Sequence, residues 1–273
     1  MKRIVLVTGA SSGIGRAVAV RLAGSGFTVY GASRSGSGPK MDSLTNVQMD
    51  VTKVDSVVRV LNEIDKNHGA LHAVINSAGL GMLGSLEDST TEEIQMLFET
   101  NLIGVHHVCM RSLHLLRRTG NGYIINITSM AAQMGLPYRG VYCASKFAVE
   151  GYSESLSQEV ACEGIHVVIV EPGDVRTAIN GNRKEVGTIS NRHATRHQTI
   201  RQQVNREVDL GMNPEGVANT ICSILHTNKP RLRYRVAFTR AKLAYYLMRI
   251  LPDRWFERIV MKHYKIGVKR KRG

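Results

Sequence analysis

Short apolar runs alternate with helix-period stretches along the whole chain. Ile4-Val5-Leu6-Val7 is apolar at every position, the pattern of a strand buried on both faces of a parallel sheet. Comparable runs recur at Thr28–Ala32, Val47–Met49, Ala73–Ile75, Tyr123–Ile127, His166–Val170 and Leu232–Val236. Between them the pattern turns helical and amphipathic, as with Ala17, Val18, Val20 and Leu22 after the first run. Strand and helix in alternation imply right-handed crossovers. The predicted fold is therefore α/β, a doubly wound parallel sheet flanked by helices. No repeat, low-complexity linker or Pro/Ser-rich hinge interrupts the 273 residues, a length one domain can fold around a large core. The expected layout is a main body over 1–230 with a substrate lid at about 178–212, then a last strand and basic helical extension over 231–273.

The first run flows into Thr8-Gly9-Ala10-Ser11-Ser12-Gly13-Ile14-Gly15. Strand, glycine-rich turn and helix in that order cradle a dinucleotide pyrophosphate. The glycines let the backbone approach the phosphates, and the helix N-terminus offers free N–H groups at the positive end of its dipole. The spacing is G-x-x-x-G-x-G rather than G-x-G-x-x-G, so its place directly after a strand carries the reading.

Tyr142-Cys143-Ala144-Ser145-Lys146 puts a phenol and an ammonium one helical turn apart on one face. A free tyrosine titrates near pKa ~10 and is a poor acid–base group at neutral pH. A neighbouring Lys⁺ stabilises the phenolate and lowers that value. Tyr142 then becomes a candidate to give a proton to a carbonyl or take one from an alcohol. Most isolated Tyr-x-x-x-Lys pairs are structural, so the surroundings decide.

Four further motifs stand in order: Asn76-Ser77-Ala78-Gly79 after a strand, Asn101 in a long helix, Ser129 thirteen residues before Tyr142, and Pro172-Gly173 after another strand. With these the chain resembles the short-chain dehydrogenase/reductase family over about residues 3 to 230. The stretch from Gly135 to Ala148 is similar to the branch holding 17β-hydroxysteroid dehydrogenase type 1 and the retinol dehydrogenases. The resemblance implies a Rossmann-type fold and an oxidoreductase interconverting carbonyl and alcohol with a nicotinamide cofactor. It implies that Ser129 and Tyr142 hold the carbonyl oxygen, Tyr142 supplying the proton. Lys146 would hold the nicotinamide ribose, and Asn101 would anchor a water linking Lys146 to solvent. Apart from the family, Asn101 reads as a polar residue satisfying helix backbone groups. The implied cofactor set is Gly9, Ser11, Ser12, Gly13, Ile14 and Gly15 at the pyrophosphate, Asp50 and Val51 at the adenine, then Asn76, Ala78 and Gly79. Tyr142, Lys146, Pro172, Gly173, Val175 and Thr177 complete it at the nicotinamide end. No metal is required. A homodimer or homotetramer is implied by the same analogy.

The acid that selects NAD sits at the end of the second strand. Here Ser33 and Arg34 stand there, with no carboxylate to repel a 2′-phosphate and a guanidinium placed to bind one. NADP(H) is the expected cofactor; the other reading of Arg34 is a solvated loop charge.

Leu80, Met82, Met130, Met134, Leu136 and Val141 are expected to flank the carbonyl, and Met130, Met134 and Leu136 join Ser129 and Tyr142 as the substrate set. Apolar, methionine-rich walls suit a steroid, retinoid or lipid-like ketone or aldehyde. The lid is basic instead, with Arg183, Lys184, Arg192, Arg196, Arg201 and Arg206 beside His193 and His197. It leaves room for an anionic head such as a fatty acyl thioester, or it is a solvated exterior. Reduction of 3-oxoacyl thioesters is the alternative activity. A non-catalytic NADP(H)-binding sensor or scaffold sits poorly with an intact Ser129, Tyr142 and Lys146.

The net charge of +14 is concentrated at one end: residues 231–273 hold fourteen Lys or Arg against two acids. Leu243, Leu247, Ile250 and Leu251 fall at helical spacing there before Pro252, and the chain closes on Lys269-Arg270-Lys271-Arg272. Basic amphipathic helices over 238–273 suit an anionic membrane surface. The other reading packs their apolar face beside the substrate pocket. Nucleic acid is not expected, since no binding motif accompanies the charge. Cys109, Cys143, Cys162 and Cys222 show neither C-x-x-C nor metal-ligand spacing and read as thiols in a reducing compartment. No run approaches the ~18 apolar residues of a membrane span. The expected location is cytoplasmic, or peripheral at a membrane surface.

Overall fold

The computed structural model describes residues 3–177 and 183–267. Its strands are β1 (Ile4–Thr8), β2 (Thr28–Ser33), β3 (Leu44–Gln48), β4 (Ala73–Asn76), β5 (Met82–Leu83), β6 (Gly122–Ile127), β7 (Ile165–Pro172), β8 (Lys184–Glu185) and β9 (Arg233–Val236). Its helices are α1 (Gly13–Ala23), α2 (Val54–His68), α3 (Thr91–Phe98), α4 (Gly104–Arg117), α5 (Gly140–Glu159), α6 (Asn191–Asp209), α7 (Pro214–Ile224), α8 (Thr239–Ile250) and α9 (Asp253–His263). Seven strands form a parallel sheet in the order β3-β2-β1-β4-β6-β7-β9, while β5 pairs with β8 apart from it. The order reverses between β1 and β4, which opens a crevice beyond their carboxyl ends.

Successive β1 residues feed opposite cores, as a period of two requires. Leu6 packs with Val60, Leu61, Val108 and Leu115 from α2 and α4, and Val5 and Val7 pack with Val18, Leu22 and Ile221 from α1 and α7. Burying each such aliphatic side chain stabilises the fold by about 1.5–3 kcal/mol. Helix α2 shows how the local sequence supports this. Val57, Val60, Leu61 and Ile64 form its buried stripe, and Gly69 ends it in the left-handed conformation at φ 71°.

The predicted single doubly wound domain with a helical C-terminal extension is present, with four differences. Strand β3 begins at Leu44, ahead of the expected Val47, because Met41 and Leu44 bridge and lead the chain into pairing with β2. Asn101 lies in a π-helical turn, Glu99–Ile103, between α3 and α4 rather than in a regular helix. Most of the expected lid is α6, anchored by His197, Ile200, Val204 and Val208; residues 178–182 lie outside the described residues. In α8 the buried residue is Tyr245, while Leu243 and Ile250 face outward. The Lys269–Arg272 cluster also lies outside the described residues.

Candidate active site

The glycine turn is shaped by backbone approaching backbone. A Cβ on Gly9, which has φ +67°, would come within 2.9 Å of the Ala78 backbone, and one on Gly15 would overlap the Gly9 carbonyl oxygen. Thr8 Oγ1 accepts from the amides of Ser77 and Ala78 at 3.0 and 2.9 Å, tying β1 to the segment after β4. From across the crevice Thr177 closes on the turn, 3.3 Å from where a Gly13 Cβ would stand. Ser12 is the extended N-cap of α1; its side chain makes no cap bond, and the first turn carries no acid. The leading N–H groups of α1 are thus left for an outside acceptor, which fits a pyrophosphate.

At the end of β2, Ser33 is buried and donates to the Ser37 carbonyl at 3.1 Å, while the Arg34 side chain is exposed. Asp50 Oδ1 accepts from the Thr52 amide and hydroxyl at 3.0 and 2.8 Å, which fixes the turn after β3 beside Val51. The Asn76 amide is used inside the sheet, donating to Asn126 at 2.8 Å and toward the Cys109 sulfur. Its side chain shapes the β4 end rather than reaching into the crevice.

Ser129, Tyr142 and Lys146 converge from two elements. Ser129 caps a short 3-10 turn, Met130–Ala132, accepting from the Ala131 amide at 3.1 Å, and its side chain borders the same cavity as Tyr142. Lys146 is buried and donates from Nζ to the Ile127 carbonyl at 3.0 Å. Burial brings its pKa down to about 8, against the opposing pull of Glu150 one turn further along α5. Burial raises the Tyr142 pKa; Arg139 and then Ser129 act the other way. The expectation that Lys146 depresses Tyr142 is therefore corrected. Its ammonium is drawn to Ile127, and Arg139, 5.4 Å from the Tyr142 ring centroid, is the principal cation on the phenol.

Asn101 uses its amide on protein groups. It donates to the Leu80 carbonyl and to Ser145 Oγ, both at 3.0 Å, and accepts from the Leu80 amide at 2.8 Å. Its Oδ1 and Lys146 Nζ border the same space, 3.3 and 3.5 Å from where a Gly79 Cβ would stand. Gly79 keeps those two groups from being wedged apart.

A cavity of about 960 Å³ runs from Ile14 and Thr177 at the glycine turn past Ser129 and Tyr142. Met82, Met130, Met134 and Leu136 line it as expected. Leu80 and Val141 do not; they pack in a small cluster with Leu97 and Val186. The far wall comes from α6, α8 and α9, including Ala241, Ala244, Phe256, Val260 and Tyr264, so the extension does pack beside the pocket. Sequence reading missed Arg139 and Tyr264 among the cavity residues, since a single arginine or tyrosine flanking a helix carries no signal.

A pyrophosphate cradle opening onto Ser129, Tyr142 and Lys146 at the carboxyl ends of a parallel sheet defines an oxidoreductase of the dinucleotide-binding, Rossmann type. The chain belongs to the short-chain dehydrogenase family, whose model matches residues 3–186. It is 38% identical over 236 residues to a 3-ketodihydrosphingosine reductase of Bacteroides thetaiotaomicron, covering 86% of this chain and 87% of that protein. It is 34% identical over 258 residues to human 17-beta-hydroxysteroid dehydrogenase type 1, covering 85% and 77%. A short-chain dehydrogenase structure from Streptomyces avermitilis superposes with a TM-score of 0.81 at 29% identity, over 99% of this chain and 100% of that one.

Proposed function

We propose that the protein is an NADP(H)-dependent reductase of lipophilic ketones or aldehydes. The carrying observation is the meeting of Ser129 and Tyr142 with one long cavity that begins at the dinucleotide cradle and has an apolar stretch at Met130, Met134, Leu136, Phe256 and Val260. The relatives named for a 3-ketosphingoid lipid and a steroid support an extended substrate. The exposed Arg34 beside the buried Ser33, with no acid between them, supports NADP over NAD.

Ser129 and Tyr142 hold the carbonyl oxygen, and their hydrogen bonds strengthen as negative charge develops on it. The bound nicotinamide supplies the reducing equivalent. Tyr142, kept protonated by its raised pKa, gives its proton to that oxygen. Lys146 holds the nicotinamide ribose in this reading, and Asn101 anchors a water that links Lys146 to solvent for proton resupply; the approach of Asn101 Oδ1 and Lys146 Nζ to one space beside Gly79 supports it. The glycine turn, Ser11, Ser12 and Ile14 hold the pyrophosphate, and Pro172, Gly173, Val175 and Thr177 fence the nicotinamide. The 1–230 body with its lid, and the 231–273 extension as outer wall, then work as one unit. Pairing through α4 and α5, where Phe147 is exposed, is the proposed route to a homodimer or homotetramer.

The test follows NADPH and NADH absorbance on purified protein with ketosteroids, retinal, long-chain ketones and an acetoacetyl thioester. NADPH-dependent turnover of a lipophilic carbonyl is expected. Turnover of the thioester alone would move the protein to acyl-thioester reduction, and turnover with NADH alone would reverse the cofactor assignment.

A further inference from the structure

Two arginines line the cavity at its reacting end. Arg139 sits at the N-cap of α5 with its guanidinium 5.4 Å from the Tyr142 ring centroid, and it lines the cavity across from Tyr264 of the far wall. Arg183, just ahead of β8, donates to Asn205 Oδ1 at 2.9 Å. The two act on each other, since the Arg183 pKa is lowered by burial and then by Arg139. Asp174 acts on both. Glu185 also reaches Arg183, but it is ion-paired with Arg201 at 2.7 Å. Further out, Glu207 is engaged by His263 and Gln203. Among the described residues lining the catalytic end, cations thus outnumber acids in a partly buried space, where like charges are costly to hold together.

We propose that Arg139 and Arg183 form a headgroup subsite for an anionic amphiphile. Its substrate would be a ketone carrying a carboxylate, sulfonate or phosphate a few bonds from the carbonyl that Ser129 and Tyr142 hold. The inference rests on the reductase reading above. Guanidinium forks match such oxyanions bidentately, and an anion between two of them relieves their repulsion. The backbone holds Arg139 in place: the preceding Tyr138 is left-handed at φ 60°, a conformation costly for an L residue. Gly84 N–H to Tyr138 O at 2.8 Å and the Tyr138 hydroxyl to His193 at 2.8 Å pin it there. The alkyl chain has its own place against Met130, Met134, Leu136, Phe256 and Val260.

The test compares 4-oxododecanoate with its primary amide, ketones of equal length that differ by one charge. NADPH-loaded protein should bind the acid about tenfold or more tighter by titration calorimetry, with a similar preference in kcat/KM. Arg183→Gln should bring that ratio near one. Arg139→Lys, which keeps the charge and loses the fork, should fall between. Retained NADPH binding in each variant separates a lost subsite from a lost fold. Equal affinity for acid and amide in the unaltered protein, or an undiminished ratio in Arg183→Gln, would overturn the subsite and leave the reductase reading standing. Preference for the acid with no turnover of either ketone would uphold the subsite and count against the reductase reading.

Discussion

Lys146 is held where its charge is least comfortable. Burial brings it from the ordinary 10.5 to about 8, a difference worth about 3 kcal/mol against the folded state while the lysine is charged in both states. Lys146→Met should therefore raise stability near pH 7 by about 1–3 kcal/mol, the loss of the bond to Ile127 taking back part of the gain. The sign follows from proton counts. Between about pH 8 and 10.5 the unfolded chain binds more protons than the folded one, so the unaltered protein gains stability as pH rises and the variant's advantage narrows. Urea denaturation at pH 7 and pH 10 checks both statements. Carbonyl reduction by the unaltered enzyme should decline as pH rises through about 8, when the ammonium is lost. At Tyr142 no such compensation exists. Tyr142→Phe keeps the ring and removes the proton that is transferred to the substrate oxygen, so kcat should fall by roughly 10²–10⁴. NADPH affinity, read by fluorescence quenching, should stay nearly unchanged; substantial residual turnover would remove Tyr142 from the mechanism.

Among the elements, the edge strand β9 is held by more than its ladder with β7. Arg233 is paired with Glu150 and Glu154 of α5 and with Glu171 of β7, and Arg235 reaches Glu171 and lies 3.7 Å from the Tyr245 ring centroid of α8. Glu150 also accepts from Thr128, the neighbour of Ser129, at 2.6 Å, so the network supports the catalytic turn from beneath. Burial and then Glu150 push the Glu171 carboxyl up to about 7, against Arg235 and Arg233. Arg233→Met would leave two buried carboxyls facing one another and should cost about 3–5 kcal/mol. Without Arg233 the Glu171 carboxyl takes its proton at a higher pH than in the unaltered protein, so that deficit should shrink as pH falls toward about 7 and level off below it; thermal melts of both proteins across about pH 5.5 to 9 test it. None of this network is written in local sequence, because its members come from α5, β7 and β9. By contrast, the parallel strands and glycine turn were legible: strands buried on both faces read as unbroken apolar runs, and a turn without Cβ atoms reads as glycine. Helix α6 was not legible, because its polar face is crowded with arginines and only a thin stripe, Ile200, Val204 and Val208, is apolar. The π turn at Asn101 was equally hidden, since one shifted backbone bond leaves no residue signature. Ser129, Tyr142 and Lys146 could be named because their spacing is local, whereas Arg139 and Tyr264 meet only through the fold.

For the molecule as a whole, the C-terminal extension packs beside the pocket, and the membrane reading concerns the opposite side of the same helices. Inward, Phe256, Val260 and Tyr264 close the cavity. Outward, Leu243, Tyr246, Ile250 and Trp255 are exposed among the exposed Lys242, Arg249, Arg254, Arg258 and Lys262. No helix among the described residues is long and apolar enough to cross a membrane. A wall that is apolar toward the pocket and both aromatic and cationic toward solvent suits attachment to an anionic bilayer, from which an amphiphilic ketone could enter beside α8 and α9. Each cation near such a surface contributes about 1 kcal/mol, and the contribution fades as salt shortens the screening length. The protein should therefore sediment with phosphatidylcholine vesicles that contain phosphatidylserine, less with phosphatidylcholine alone, and less again at high salt. Ile250 is 79% exposed and Trp255 62%, so Ile250→Glu with Trp255→Glu should leave the melting temperature nearly unchanged. The same pair should cut vesicle binding about tenfold or more and slow turnover of a vesicle-borne ketone without slowing a water-soluble one. Binding that ignores lipid charge, or that survives both substitutions, would confine the extension to its inward role as a pocket wall.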